Sequence, residues 1–213
     1  MYNQHAGETC IIIGNGPSLN DIPLEFLKSY LTFGTNRIYL LKGFEPTYYV
    51  SVNPLVINQS VDKINKMKCP KFIRHTLAEK ITDSIPLTHS GTWTFSKDPM
   101  KYIFEGFTVT YVCLQLAYWM GFKDVLLVGV DHYFKTKGKK NAEVTSTGKD
   151  PNHFSPNYFG KGVKWNLPDL ENSERAYKIA NRIYQKDGRT IHNLTTKTAL
   201  EVFPREDWHA WQK

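Results

Sequence analysis

The chain has 213 residues, 41% of them hydrophobic and 22% charged, with a formal charge of +7 from 27 Lys and Arg against 20 Asp and Glu. That length supports one substantial core, is short for two full domains, and the balance excludes disordered and fibrous classes. The positive charge favours an anionic partner, but no reader motif or basic–aromatic stripe accompanies it, so nucleic acid is not an expected partner.

Thr9–Ile13 reads as a first strand, a short buried run that ends on Gly14-Asn15-Gly16-Pro17-Ser18. Asp21 is a candidate cap for a helix over about residues 22–30, with Pro23 in its first turn. Leu31–Gly34 is a second strand, followed by a short helical stretch near Arg37–Lys42. Thr47–Val52 is a third. Leu55, Val56, Ile57, Val61, Ile64 and Met67 then mark one helical face over 55–68. Lys71–Arg74 reads as a strand, and Pro86–Gly106 as a loop with short β pieces. Val109, Val112, Cys113, Leu116, Ala117 and Met120 recur at three- and four-residue steps, which predicts a helix over 109–120 stopped by Gly121. Asp124–Gly129 is a central strand with almost no polar content, as parallel strands tend to be. Residues 131–170 form a long polar segment, expected to act as a flexible lid or an acceptor-binding segment. A helix over about 171–187, a strand at Thr190–His192 and a short helical end before Pro204 complete the chain. Alternating strands and helices imply a single α/β domain over 1–213, a Rossmann-like, doubly wound, mostly parallel sheet.

No apolar run reaches the roughly 18 residues of a membrane span. The start, Met1-Tyr2-Asn3-Gln4-His5, lacks the basic-then-apolar pattern of a secretory leader. Cys10, Cys69 and Cys113 stand far apart without metal-ligand spacing and read as reduced thiols, so a cytoplasmic location is expected. The cluster of Lys135, Lys137, Lys139 and Lys140 suits a solvated loop or peripheral contact with an anionic membrane face at the inner membrane.

Four polar strand ends carry the chemistry. Open parallel sheets bind ligands outside the carboxyl ends of their strands, so these ends predict one nucleotide-sized site. The turn Gly14, Asn15, Gly16, Pro17, Ser18 is a candidate phosphate cradle, although it is neither a Walker A loop nor a full Rossmann fingerprint. Asn36 and Asn53 offer donor and acceptor to a base or ribose, and equally suit local turn chemistry. Thr108 and Thr110 open the 109–120 helix, where Thr108 can cap it and meet a phosphate. Gly129 and Asp131 end the central strand; Asp131 can hold a ribose hydroxyl, take a proton or bind a metal. No cysteine pair or His-x-x-x-His marks a metal site. In the proline-punctuated stretch Asp150–Gly160, His153 is a candidate general base and Tyr158 a candidate donor to a leaving phosphate, with His132 as the rival base.

Ile13-Gly14-Asn15-Gly16-Pro17-Ser18-Leu19, Thr35-Asn36, Thr108-Val109-Thr110-Tyr111-Val112, the run from Ala117 through Asp131 and the tail Leu200–Arg205 together resemble the MptE-like family. That family is named for an archaeal 6-hydroxymethylpterin diphosphokinase, and its relatives occur among bacterial surface-sugar enzymes. The scaffold is also similar to small bacterial sialyltransferases that use a CMP-activated sugar. There an equivalent turn, two strand-end Asn and a Gly-x-Asp strand end surround the nucleotide, which maps onto Gly14–Leu19, Asn36, Asn53 and Gly129–Asp131. The resemblance implies an inverting glycosyltransferase needing no cofactor, acting on a nucleotide-sugar donor and a glycan or glycolipid acceptor in surface-glycan synthesis. The alternative it carries is a Mg²⁺-dependent transfer of diphosphate from ATP to a 6-hydroxymethylpterin. A non-catalytic nucleotide-sensing domain is a third reading.

Overall fold

The computed structural model describes residues 1–91 and 93–213. In chain order its strands are β1 (Thr9–Ile13), β2 (Leu31–Thr35), β3 (Tyr48–Ser51), β4 (Lys71–Arg74), β5 (Ser84–Leu87), β6 (Asp124–Val128), β7 (Glu143–Thr145), β8 (Lys164–Asn166) and β9 (Thr190–Asn193). Seven of them form one parallel sheet in the order β5-β4-β3-β2-β1-β6-β9, while β7 and β8 pair as a separate antiparallel ribbon. The helices are α1 (Leu24–Lys28), α2 (Pro54–Asn58), α3 (Val61–Asn65), α4 (Val109–Met120) and α5 (Leu170–Lys186).

Alternation along the central strands divides the core between two faces. Cys10, Ile12, Val125 and Leu127 pack against α4 and α5; Ile11, Ile13, Leu126 and Val128 pack against α1, α2 and α3. All eight are fully buried, a contribution of roughly 1.5–3 kcal/mol for each Ile, Val and Leu. Residues on both faces must be apolar, which is why β1 and β6 are polar only at their half-buried first residues, Thr9 and Asp124. Helix α4 starts at Thr108, whose hydroxyl accepts from the Thr110 N–H, and stops at Gly121 with φ +95°.

Several elements differ from expectation. The first helix is only α1, preceded by a 3-10 turn over Pro17–Asp21, and Pro23 rather than Asp21 occupies its N-cap. Asp21 instead accepts from the Thr196 hydroxyl at 2.7 Å and pairs with Lys197. The 55–68 face is split at Ser60, whose φ of −134° leaves the helical region. Its hydroxyl accepts from Tyr39 at 2.8 Å, and the break lets Val56, Ile57 and Ile64 all reach the core. Beyond β4 the sheet gains β5, where Pro86 is tolerated because the strand lies at the edge. The 131–170 segment contains the β7–β8 ribbon and an aromatic cluster of Phe134, His153, Tyr158, Phe159 and Trp165. Among the described residues no helix lies between β9 and Pro204; a 3-10 turn follows at Trp208–Trp211. Before Pro204, the Thr195 hydroxyl accepts from Val130 N and the Ala199 N–H binds Asp131 O.

Candidate functional site

Strands β1 and β6 are neighbours, and the strand order reverses between them. Chain leaving such a pair departs in opposite directions, which opens a crevice at the carboxyl ends. The ladder continues past the strands: Gly14 N–H binds Val128 O at 2.8 Å, and Gly16 N–H binds Gly129 O at 2.8 Å. The approach is close enough to require glycine. A Cβ on Gly14 would lie 2.4 Å from Gly129 O, and one on Gly16 would lie 2.0 Å from Asp131 Oδ1.

Asp131 joins the two ends. It accepts from the Ser18 hydroxyl at 2.5 Å and the Ser18 N–H at 3.2 Å. Burial pushes the Asp131 carboxyl above its ordinary range, against the Ser18 bonds that lower it. The N–H groups of Gly14, Gly16 and Ser18 are therefore engaged within the fold, and Pro17 has none. The expected cradle of turn donors gives way to a close strand-end junction. Asn15 donates Nδ2–H to the carbonyl and hydroxyl of Thr35, while its Oδ1 is buried with no partner among the described residues. A buried acceptor left unpaired is costly unless a ligand donor reaches it.

A cavity of about 160 Å³ opens here, adjoining a groove of about 450 Å³. Gly14, Asn15, Gly16, Asn36, Thr108, Thr110, Gly129, Asp131, His132, His153 and Tyr158 all line the cavity. Ser18 is buried behind it, and Pro17 lies in the adjacent turn. Asn53 lines the groove instead, and its Oδ1 caps α2 by accepting from Leu55 and Val56. Asn36 has φ +49°, and its Oδ1 accepts from Ser51. The start of α4, Thr108–Thr110, faces the cavity with the positive end of the helix.

His153 Nδ1 is 2.8 Å from Asp150 Oδ2, and its ring lies flat on Tyr158, with centroids 3.9 Å apart and planes 2° from parallel. Asp150 is buried, which alone would raise its pKa. The His153 hydrogen bond and the N–H donors of Asn152 and Phe159 hold it below the usual range. The segment is fixed to the first strand end: Phe154 N–H binds Asn15 O at 2.9 Å, and Asn20 Nδ2–H binds Phe154 O at 2.9 Å. Behind it, the buried Arg37 guanidinium donates to Tyr158 O at 2.6 Å and to Gln59. The Tyr158 hydroxyl accepts from Arg37 N–H at 3.3 Å, and burial pushes the phenol pKa well up. His132, with φ +52°, stands against α5, its Nε2 3.9 Å from Glu174. Burial lowers its pKa, with Glu174 opposing.

The pairing of Asp150 with His153 was missed, although a carboxylate three residues before a histidine was a readable signal. Thr35, of the Thr35-Asn36 pair, also lines the cavity, as do Asn152, Phe107, Ser173 and Tyr177; nothing local in the sequence singled out the last four. A Mg²⁺ site fits poorly. Both Asp131 oxygens are bonded to Ser18, and both Asp150 oxygens are engaged by His153 and backbone N–H groups. Among the described residues no cluster of three or more metal-ligating side chains occurs.

Fold and cleft define a Rossmann-like, doubly wound α/β protein with a cavity at the topological switch point. The chain belongs to the MptE-like family: the family described as 6-hydroxymethylpterin diphosphokinase MptE-like matches residues 1–137. That match contains β1 through β6 and stops before Asp150, His153, Tyr158 and the Leu200–Arg205 tail. Among solved structures, the MAf glycosyltransferase from Magnetospirillum magneticum AMB-1 aligns over 100% of this chain, with a TM-score of 0.65 and 14% identity. This chain spans 36% of that protein's length, and the likeness is one of fold. No curated protein matches the chain. Among the described residues, no helix is long and apolar enough to cross a membrane.

Proposed function

We propose that the protein is a metal-independent, inverting glycosyltransferase that uses a nucleotide-activated sugar of the CMP-sugar, sialic-acid-like type in bacterial surface-glycan synthesis. Its acceptor is a glycan or glycolipid, and its place is the cytoplasm, at the inner membrane's anionic face. The observation that carries this reading is the Asp150–His153 pair, with the imidazole lining the switch-point cavity.

His153 takes the proton of the acceptor hydroxyl as that oxygen attacks the anomeric carbon. The bond from that carbon to the phosphate oxygen breaks with inversion, and CMP leaves with the electron pair. Asp150 at Nδ1 stabilises the imidazolium, and the Tyr158 ring keeps the imidazole in one plane. Charge gathering on the leaving phosphate meets the positive end of α4 at Thr108–Thr110. Asn15 Oδ1 takes a donor of the nucleotide. Among the described residues lining the cavity none is Lys or Arg, which suits a leaving group with one phosphate better than a diphosphate. The 131–170 segment closes over the donor and keeps out the water that would hydrolyse it.

The family description supports a second reading, diphosphate transfer from ATP to a pterin alcohol. That chemistry bridges phosphates with Mg²⁺ held by carboxylates, and the engaged Asp131 and Asp150 speak against it. Calorimetric titration with CMP, CDP, UDP, GDP and ATP, each with EDTA and with Mg²⁺, separates the two. Micromolar CMP binding indifferent to EDTA is expected. Mg²⁺-dependent ATP binding with no CMP signal would overturn the glycosyltransferase reading in favour of the diphosphokinase.

A further inference from the structure

A second cavity, of about 290 Å³, lies between α5 and residues 89–91, 93–94 and 104–107. Its walls are aromatic at Trp93, Phe104, Phe107 and Tyr111, and polar at His89 and Glu105. Two of those rings face water: Trp93 is 52% exposed and Phe107 43%. They stand together, centroids 4.9 Å apart and planes inclined at 31°. Paired aromatic faces left in water forgo burial and mark a surface kept for a ligand.

The backbone is strained to present them. Gly106 has φ +54° and Phe107 φ +61°. A phenylalanine in that left-handed region is an outlier that its surroundings must enforce. Gly106 is obligatory as well, since a Cβ there would lie 2.4 Å from Tyr111 Cδ1. The loop is also pinned. Gln115 accepts from Ser96 N–H and Phe104 N–H and donates to Phe104 O. Arg74 donates to Glu105 Oε1 at 2.7 Å, and His89 bridges to Ile103. A wall held this way is formed before any ligand arrives, which lowers the entropic cost of binding.

We propose that this cavity is a saccharide-binding subsite and that its occupant is the acceptor glycan; the word acceptor rests on the glycosyltransferase reading, whereas saccharide binding does not. Three features choose a sugar. A pyranose has one face of C–H groups that lies on an aromatic ring, and Trp93 and Phe107 supply two. Its hydroxyls donate to a carboxylate, and Glu105 stands at the cavity wall with His89 beside it, 3.8 Å away. That same carboxylate, already paired with Arg74, disfavours a lipid chain, which would desolvate it without giving it a partner. Continuity assigns the acceptor role, because Phe107 also lines the switch-point cavity, and both Phe107 and Glu105 line the groove beside it. A sugar seated on Phe107 therefore reaches the donor site without crossing the fold.

The test is a glycan array probed with labelled protein, repeated for Trp93→Ala, Glu105→Gln and Phe107→Gly. The first removes an exposed ring, the second a charge, and the third relieves the positive φ. A discrete set of glycans should bind the wild type, with affinity falling by about tenfold or more in each variant, the scale of one lost stacking or hydrogen-bond contact. CMP titration of Trp93→Ala should match the wild type, because Trp93 does not line the donor cavity. Retention of no glycan, or full binding by Trp93→Ala, overturns the proposal. Glycan binding without CMP binding would leave this subsite standing and remove the CMP-sugar transferase reading; CMP binding without glycan binding does the reverse.

Discussion

At the scale of single residues, the site turns on two histidines in different surroundings. His153 is bonded to a buried carboxylate and stacked on Tyr158, so its tautomer and plane are set by neighbours. His153→Ala should leave CMP affinity nearly intact and lower turnover by about 10²-fold or more, the scale of a general base. Asp150→Asn acts through His153 and should lower kcat with KM for the donor unchanged; steady-state kinetics on both variants checks this, and a rise in KM alone would make Asp150 structural. His132 gives a stability prediction. Its folded pKa is depressed by burial, so the unfolded chain takes up the proton first as pH falls through about 6.5. Its contribution is present above that pH and is lost as pH falls toward the folded value. Urea midpoints from pH 7.5 to 5 should drop, and His132→Gln should flatten that drop. Gly14, Gly16 and Asp131 were legible as strand-end chemistry. That Asp131 would take Ser18, 113 positions away, was not, because such a partner leaves no local pattern.

At the scale of elements, α4 shows why some readings from pattern hold. Its apolar spacing, Thr cap and terminal glycine all point to one helix, and the structure has it at Val109–Met120. Gln115, fully buried in that helix, interrupts the apolar face because its amide anchors the 96–104 loop. Gln115→Leu would leave the Ser96 and Phe104 N–H groups unpaired, each costing about 1–3 kcal/mol. A stability loss of that order in denaturant titration is expected, together with weaker glycan binding at the loop; an unchanged midpoint would show that water replaces the amide. The β7–β8 ribbon was not legible. Its strands have three residues each, and its packing comes from rings scattered along 134–165, which period-based reading does not detect. The 55–68 face was read as one helix because periodicity reports which residues are buried, not whether the backbone breaks between them.

At the scale of the whole molecule, the central strands and the ribbon differ in how they are held. Strands β1 and β6 are covered on both faces, whereas the ribbon is tied to the body by a few side chains such as Gln59, which donates to Lys164 O at 2.9 Å. Amide exchange in β1 and β6 should therefore follow global unfolding, and exchange in the ribbon should be faster and slow down when CMP is bound. Ribbon exchange unaffected by saturating CMP would rule out closure over the donor. Local chemistry in the sequence by itself determined the alternation of strand and helix, the parallel sheet and the polar strand ends, since burial on both faces and turn geometry act over a few residues. Only the tertiary structure decided which ends meet. The strand order that sets β1 beside β6, and the Phe154–Asn15 bond that brings His153 to the same cavity, depend on loop closure and packing across the whole chain. Those terms are summed over distant residues and have no signature in any short window of sequence.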